Sequence, residues 1–265
     1  MHVPALAQVF ERFSLLLVIG ACWVFEVPFV VLLVLAAVAP FMRFLIVLRG
    51  VAGQFRMPSV GRSKSLLGEG LLLFAVEATA GVYLRVDILL ISQMRSLEAA
   101  AQYNAAFRLF EVFTVLFAGY LTAVFPSLVR KRHFESPRST FWLGLAVILA
   151  ASGAGILSRN LLLGMFGPAY LEAGQAFIAL MLTLPLCYTT SFLANFLVAT
   201  GRVSLLMGMS LIVVSTKILL NLVVIPRCSL TGAALSFLLS EIVRCILLAV
   251  VWSFFKKRAD RPAER

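Results

Sequence analysis

Apolar residues run along this chain in long, nearly unbroken segments, separated by short clusters of basic and turn-forming residues. Read at the length a membrane crossing requires, roughly 20 mostly apolar residues, the pattern predicts eight spanning helices. They lie at about 5–25, 28–48, 66–93, 100–128, 140–158, 173–199, 204–226 and 231–255. In the first, Glu11 and Arg12 must sit at the interface, where long side chains reach back to water; Glu26 and Pro28 then turn the chain into the second. The expected fold is all-α, a polytopic membrane helix bundle of about eight transmembrane helices. Its expected parts are a helix pair at 1–50, a cytoplasmic linker at 51–65, six helices at 66–255 and a charged cytoplasmic tail at 256–265. The linker, with Phe55, Met57 and Val60 among its basic residues, suits either an interfacial position on anionic headgroups or a solvated loop, the first slightly favoured.

Composition agrees with the pattern. Of 265 residues 62% are hydrophobic and only 13% charged, whereas soluble domains run near half apolar and a quarter charged. The net charge of +11 does not point to nucleic acid, because its basic residues are sorted by loop. One side holds Arg12, then Arg49, Arg56, Arg62 and Lys64, then Arg130, Lys131, Arg132 and Arg138, then Arg202, and finally Lys256, Lys257, Arg258, Arg261 and Arg265; the other holds Arg95, Arg159 and Arg227. That asymmetry places both termini in the cytoplasm. Cys22, Cys187, Cys228 and Cys245 are scattered singly, so neither a zinc site nor a disulfide framework is indicated. His133 in its basic loop reads as a solvated side chain, and no cofactor is expected. The N-terminal Met-His-Val-Pro lacks a signal-peptide pattern, leaving the first helix to direct insertion.

The chemistry must be sought where charge interrupts the apolar segments, since such charge is costly and faces a protein interior or a wet cavity. Glu77, Arg85 and Asp87 lie in the third segment, with Arg85 and Asp87 on either side of the Glu77 azimuth. Asn104, Arg108 and Glu111 (i, i+4, i+7) share one face of the fourth, and Ser210, Lys217 and Asn221 share one of the seventh. Glu241 and Arg244 are spaced to pair along the eighth. Arginines suit phosphate through bidentate bonds, and a carboxylate near the midplane suits a proton or sodium ion. For Arg108–Glu111 and Glu241–Arg244, simple pairing explains the charges as well as function does. Arg85 and Glu77 have no opposite charge at helical spacing and lean to function. Lys217 and Glu241, at similar depth, are expected to pair across antiparallel seventh and eighth helices. Gly201, Gly208 and Gly232 are expected at turns or close helix approaches.

Several stretches resemble polysaccharide (O-antigen type) flippases of the multidrug/oligosaccharidyl-lipid/polysaccharide exporter superfamily. They are Arg85-Val86-Asp87-Ile88-Leu89-Leu90, Tyr103-Asn104-Ala105-Ala106-Phe107-Arg108-Leu109, Phe125-Pro126-Ser127-Leu128, Phe166-Gly167-Pro168-Ala169-Tyr170, Ala199-Thr200-Gly201-Arg202, and Asn221 to Pro226 followed by Gly232-Ala233-Ala234 and Glu241. Their order over about residues 66–255 carries the likeness. The resemblance implies a two-lobed exporter fold in the bacterial inner membrane, with this chain matching the end of the first lobe and all of the second, as if N-terminally truncated. It implies flipping of an undecaprenyl-pyrophosphate-linked oligosaccharide by alternating access. Arg85, Arg108 and Asn104 would bind substrate, and Glu77, Glu111 and Asp87 would couple to H+ or Na+, Asp87 also orienting an arginine. Lys217, Glu241 and Arg244 would be structural. Expected partners are the lipid-linked oligosaccharide, the bilayer and other polysaccharide assembly proteins.

Two other readings stay open at this point: a drug/cation antiporter or peptidoglycan-precursor flippase of the same superfamily, and an inactive membrane scaffold. A membrane glycosyltransferase would need a carboxylate motif facing water, and the loops offer Glu26, Glu98, Glu135 and Glu172 only singly. The chain is therefore expected not to be an enzyme.

Overall fold

The structure, a computed structural model, describes residues 60–130 and 138–259, together with Val38, Phe41, Leu45 and Arg49. The chain divides into two units, Met1–Ser65 and Leu66–Arg265. In the first, Val38, Phe41, Leu45 and Arg49 are helical and exposed. Their spacing puts them along one helix face. The rest of the two N-terminal spans lies outside the described residues, as do positions 51–59 and the tail from 260.

From residue 60 on, the described residues are almost entirely helical. The elements are α1 (Val60–Met94), α2 (Leu97–Arg130), α3 (Arg138–Leu157), α4 (Arg159–Gly164), a 3-10 turn (Pro168–Ala173), α5 (Gly174–Ala199) and α6 (Val203–Ala259). α1 begins six residues before the expected span, inside the stretch read as linker. The connection between the fifth and sixth expected spans is not a plain loop, for it holds α4 and the 3-10 turn. Three helical runs among the described residues are long and apolar enough to cross a membrane: Leu97–Thr122, Pro168–Val198 and Val203–Phe254, with a shorter apolar helix at Phe141–Leu157.

The run in α6 covers two expected spans, and its 52 residues would reach roughly 78 Å if straight, against a hydrocarbon core of about 30 Å. It is not straight. Lys217 Nζ lies 4.3 Å from the centre of the Phe237 ring, residues that a straight helix would hold roughly 30 Å apart. The two arms therefore fold back on each other, antiparallel. Pro226 removes a backbone donor near the bend, and Ser229 takes φ 52° and ψ −131°. Gly232 lets the arms close: a Cβ there would stand 2.7 Å from the Val224 carbonyl oxygen. Gly201 has φ 74° in the turn before α6, whereas Gly208 has open space around it and makes no close approach.

Pro185 sits inside α5 and cannot donate to the carbonyl of Met181, four residues back. In a membrane such a freed carbonyl needs another partner, and Ser152 Oγ of α3 donates to it at 2.6 Å. α3 approaches closely enough because residue 144 is glycine; a Cβ there would overlap the Tyr188 ring. The core is aromatic, with Tyr103, Phe107, Phe110 and Phe117 of α2 spaced along one buried stripe against α5 and Phe237 of α6. Outside the core, exposed Trp142 of α3 and Leu219 of α6 suit a lipid-facing surface.

Candidate functional site

Among the described residues, three groups of charged or polar side chains stand out in the second unit. The first joins α1 to α2. Arg85 Nη2 donates to Glu111 Oε1 at 3.1 Å, and Arg108 Nη1 donates to Glu111 Oε2 at 2.8 Å. The arginine side chains are 42% and 56% exposed and Glu111 is 25% exposed. Two guanidiniums thus share one carboxylate on an accessible face and leave a net positive charge there. Asn104, one turn from Arg108, is half-buried and makes no hydrogen bond among the described residues. Glu77 is exposed on α1 and likewise has no such partner.

The second group is wholly buried. Asp87 accepts from Lys217 Nζ (2.8 Å), Tyr103 Oη (3.0 Å) and Asn221 Nδ2 (2.6 Å). The Lys217 ammonium also donates to the Tyr83 carbonyl and lies 4.2 Å from the Tyr83 ring centre and 4.3 Å from that of Phe237. Tyr83 Oη bonds Ser240 Oγ at 2.9 Å. One cluster therefore ties α1, α2 and both arms of α6. Asn221 Oδ1 is its one buried side-chain atom without a partner.

This geometry corrects two expectations. Lys217 makes its ion pair with Asp87, not with Glu241: the lysine faces α1 and is enclosed by rings, which leaves the carboxylate on α1 as its anion. Asp87 orients no arginine, because Arg85 and Asp87 lie about 200° apart around α1 and face opposite surroundings. Arg85 in turn finds across the helices the acid, Glu111, that it lacks along its own.

The third group lines a cavity of about 280 Å³ enclosed by α1, α2, α5 and both arms of α6. Its walls include Tyr83, Phe110, Phe117, Val213 and Phe237, with Thr79, Thr114, Cys187, Ser191 and Ser210 as lesser polar contributions. Glu241 and Arg244 also face it. Arg244 Nη1 donates to Glu241 Oε1 at 3.3 Å, the pair expected from spacing, and Thr190 Oγ1 donates to Glu241 Oε2 at 2.9 Å. Neither Arg85 nor Arg108 lines this cavity; they meet Glu111 outside it. Tyr83, Tyr103 and Thr190 were missed by sequence reasoning. The available signal was that a tyrosine hydroxyl in an apolar helix needs a polar partner when buried.

Fold and site together define a helical membrane protein that holds several charges within its bundle. Residues 1–132 of the chain match the model of a family described as "Polysaccharide biosynthesis protein". That stretch contains Arg85, Asp87, Asn104, Arg108 and Glu111 and ends before α3. No curated protein and no solved structure matches the chain.

Proposed function

We propose that this protein acts as a flippase in polysaccharide biosynthesis, of the O-antigen type. It moves an undecaprenyl-pyrophosphate-linked oligosaccharide across the bacterial inner membrane, with both termini cytoplasmic. The observation that carries the reading is the Arg85–Glu111–Arg108 cluster, two accessible guanidiniums on membrane helices inside the stretch similar to that family. A guanidinium binds phosphate oxygens through two parallel charge-assisted bonds, and the substrate's pyrophosphate competes with Glu111 for both. Asn104, one turn away, adds a donor. Glu111 then has a role beyond pairing: as a coupling position for H+ or Na+, it releases both arginines to phosphate when it exchanges them for the coupling cation. Glu77, accessible and without an ion-pair partner among the described residues, is a second coupling position. No covalent step is involved.

The test is flipping of a fluorescent lipid-linked oligosaccharide in proteoliposomes. Arg85→Lys keeps the charge but loses the fork, and transport is expected to fall; Arg85→Leu is expected to fall further. Neither variant should lose thermal stability, since the side chain is half-exposed and its ion pair solvated. Flipping at the wild-type rate in both, at normal expression, would defeat the assignment.

A further inference from the structure

The cavity and the arginine cluster are neighbours, and the proposed function uses only the cluster. Leu84 and Val115 are exposed and line the cavity, with Ala118, at its opening between α1 and α2. Leu84 precedes Arg85, and Val115 follows Glu111 by one helical turn. The Arg85–Glu111 bridge therefore stands on the rim of that opening. Behind it the walls are apolar and aromatic, with Tyr83, Phe110, Phe117 and Phe237 buried. The charges inside, Glu241 and Arg244, neutralise each other, and Thr190 completes the carboxylate. Such a pocket asks no charge of its occupant, while its rim asks for an anion.

We infer that this cavity is the seat of the apolar chain of a phosphate-bearing lipid, holding the segment next to the phosphate while Arg85 and Arg108 hold the phosphate itself. The inference rests on the flippase reading and names the part of the substrate that the cluster leaves unplaced. At about 280 Å³ the space falls just below the range of drug-sized ligand pockets, which run from roughly 300 Å³ upward. It takes the first units of a long chain and leaves the remainder in the bilayer. Anchoring both ends of the phosphate–chain junction fixes the lipid's orientation, which neither a cationic patch nor an apolar slot does alone.

Cys187 lines the cavity and is half-buried, so it reports occupancy. The experiment uses the full chain in nanodiscs with Cys22, Cys228 and Cys245 changed to serine, and measures alkylation of Cys187 by a membrane-permeant maleimide. Polyprenyl phosphate at ten times its dissociation constant leaves about one site in eleven empty and should slow alkylation roughly tenfold. Inorganic pyrophosphate should bind without protecting. Ala118→Trp, at an exposed position on the opening, should abolish protection while phosphate binding at the cluster persists. Unslowed alkylation by a polyprenyl phosphate that still binds, with Arg85→Leu weakening it, overturns the chain site and leaves the flippase reading standing. Equal protection by pyrophosphate alone also overturns it. Loss of all binding, indifferent to Arg85 and Arg108, removes both.

Discussion

Lys217 shows how one residue can be misjudged from its own helix alone. A lysine with no acid at i±3 or i±4 in an apolar segment must find its anion on another helix; depth alone nominated Glu241, yet the fully buried side chain pairs with Asp87. Asp87, the Tyr83 carbonyl and two aromatic faces surround the ammonium. Removing one member of a buried pair strands the other, which costs about 3–5 kcal/mol. Lys217→Met should therefore destabilise strongly in thermal unfolding in detergent. Adding Asp87→Asn should recover much of the loss, because the stranded charge goes with it. Additive losses in the double variant would show that the two side chains do not act as a pair. Arg85 is the contrast: two residues before Asp87 on α1 and on the other side of that helix, it is accessible, so its replacement should touch transport and not folding.

At the scale of the element, α6 becomes a hairpin through a few local features. Pro226 and Ser229 bend it, and Gly232 lets the arms meet. Gly232→Ala drives a methyl into the Val224 carbonyl, and overpacking of that kind costs about 1–3 kcal/mol. Gly208→Ala, with open space around it, should be neutral or slightly stabilising, given glycine's cost of roughly 0.5–1 kcal/mol in a helix. A thermal-shift comparison of the two separates close packing from helix propensity. The bend also leaves carbonyls at the end of the first arm without helical partners. Arg95, in the turn between α1 and α2, donates to those of Ile225 and Pro226. Arg95→Ala should cost about 1.5 kcal/mol and raise amide hydrogen exchange around the bend; unchanged exchange there would mean that water replaces the arginine without loss.

For the whole molecule, contacts sort the connections by end. Arg95 reaches Ile225, and Gln102 Nε2 donates to the Ala169 carbonyl and Glu172. The α1–α2 turn, the 3-10 turn and the α6 bend therefore gather at one end of the second unit. Charge sorting assigned that end, with Arg95, Arg159 and Arg227, to the outside. Single cysteines at Ser96, Asn160 and Arg227 should all react with an impermeant thiol reagent added to intact cells, and one at Thr200 should not. Labelling of Thr200 in place of the other three would invert the topology.

The helices themselves were legible because length and unbroken hydrophobicity are local properties: a segment of about 20 apolar residues can do little else in a membrane. Spacing along one helix likewise disclosed the Arg108–Glu111 and Glu241–Arg244 pairs and the common face of Lys217 and Asn221. Spacing carries no information about neighbours on other helices. That Arg85 meets Glu111, that Lys217 chooses Asp87 over Glu241, and that Ser152 supplies the partner Met181 lost to Pro185 were decided by packing. So was the cavity, which exists only where five helical arms stand side by side. The sequence by itself determined the class of fold and which residues must find partners. The tertiary structure decided which partners, because burying a charge or a carbonyl in an apolar medium obliges it to take whatever complementary group the neighbouring helix brings within reach.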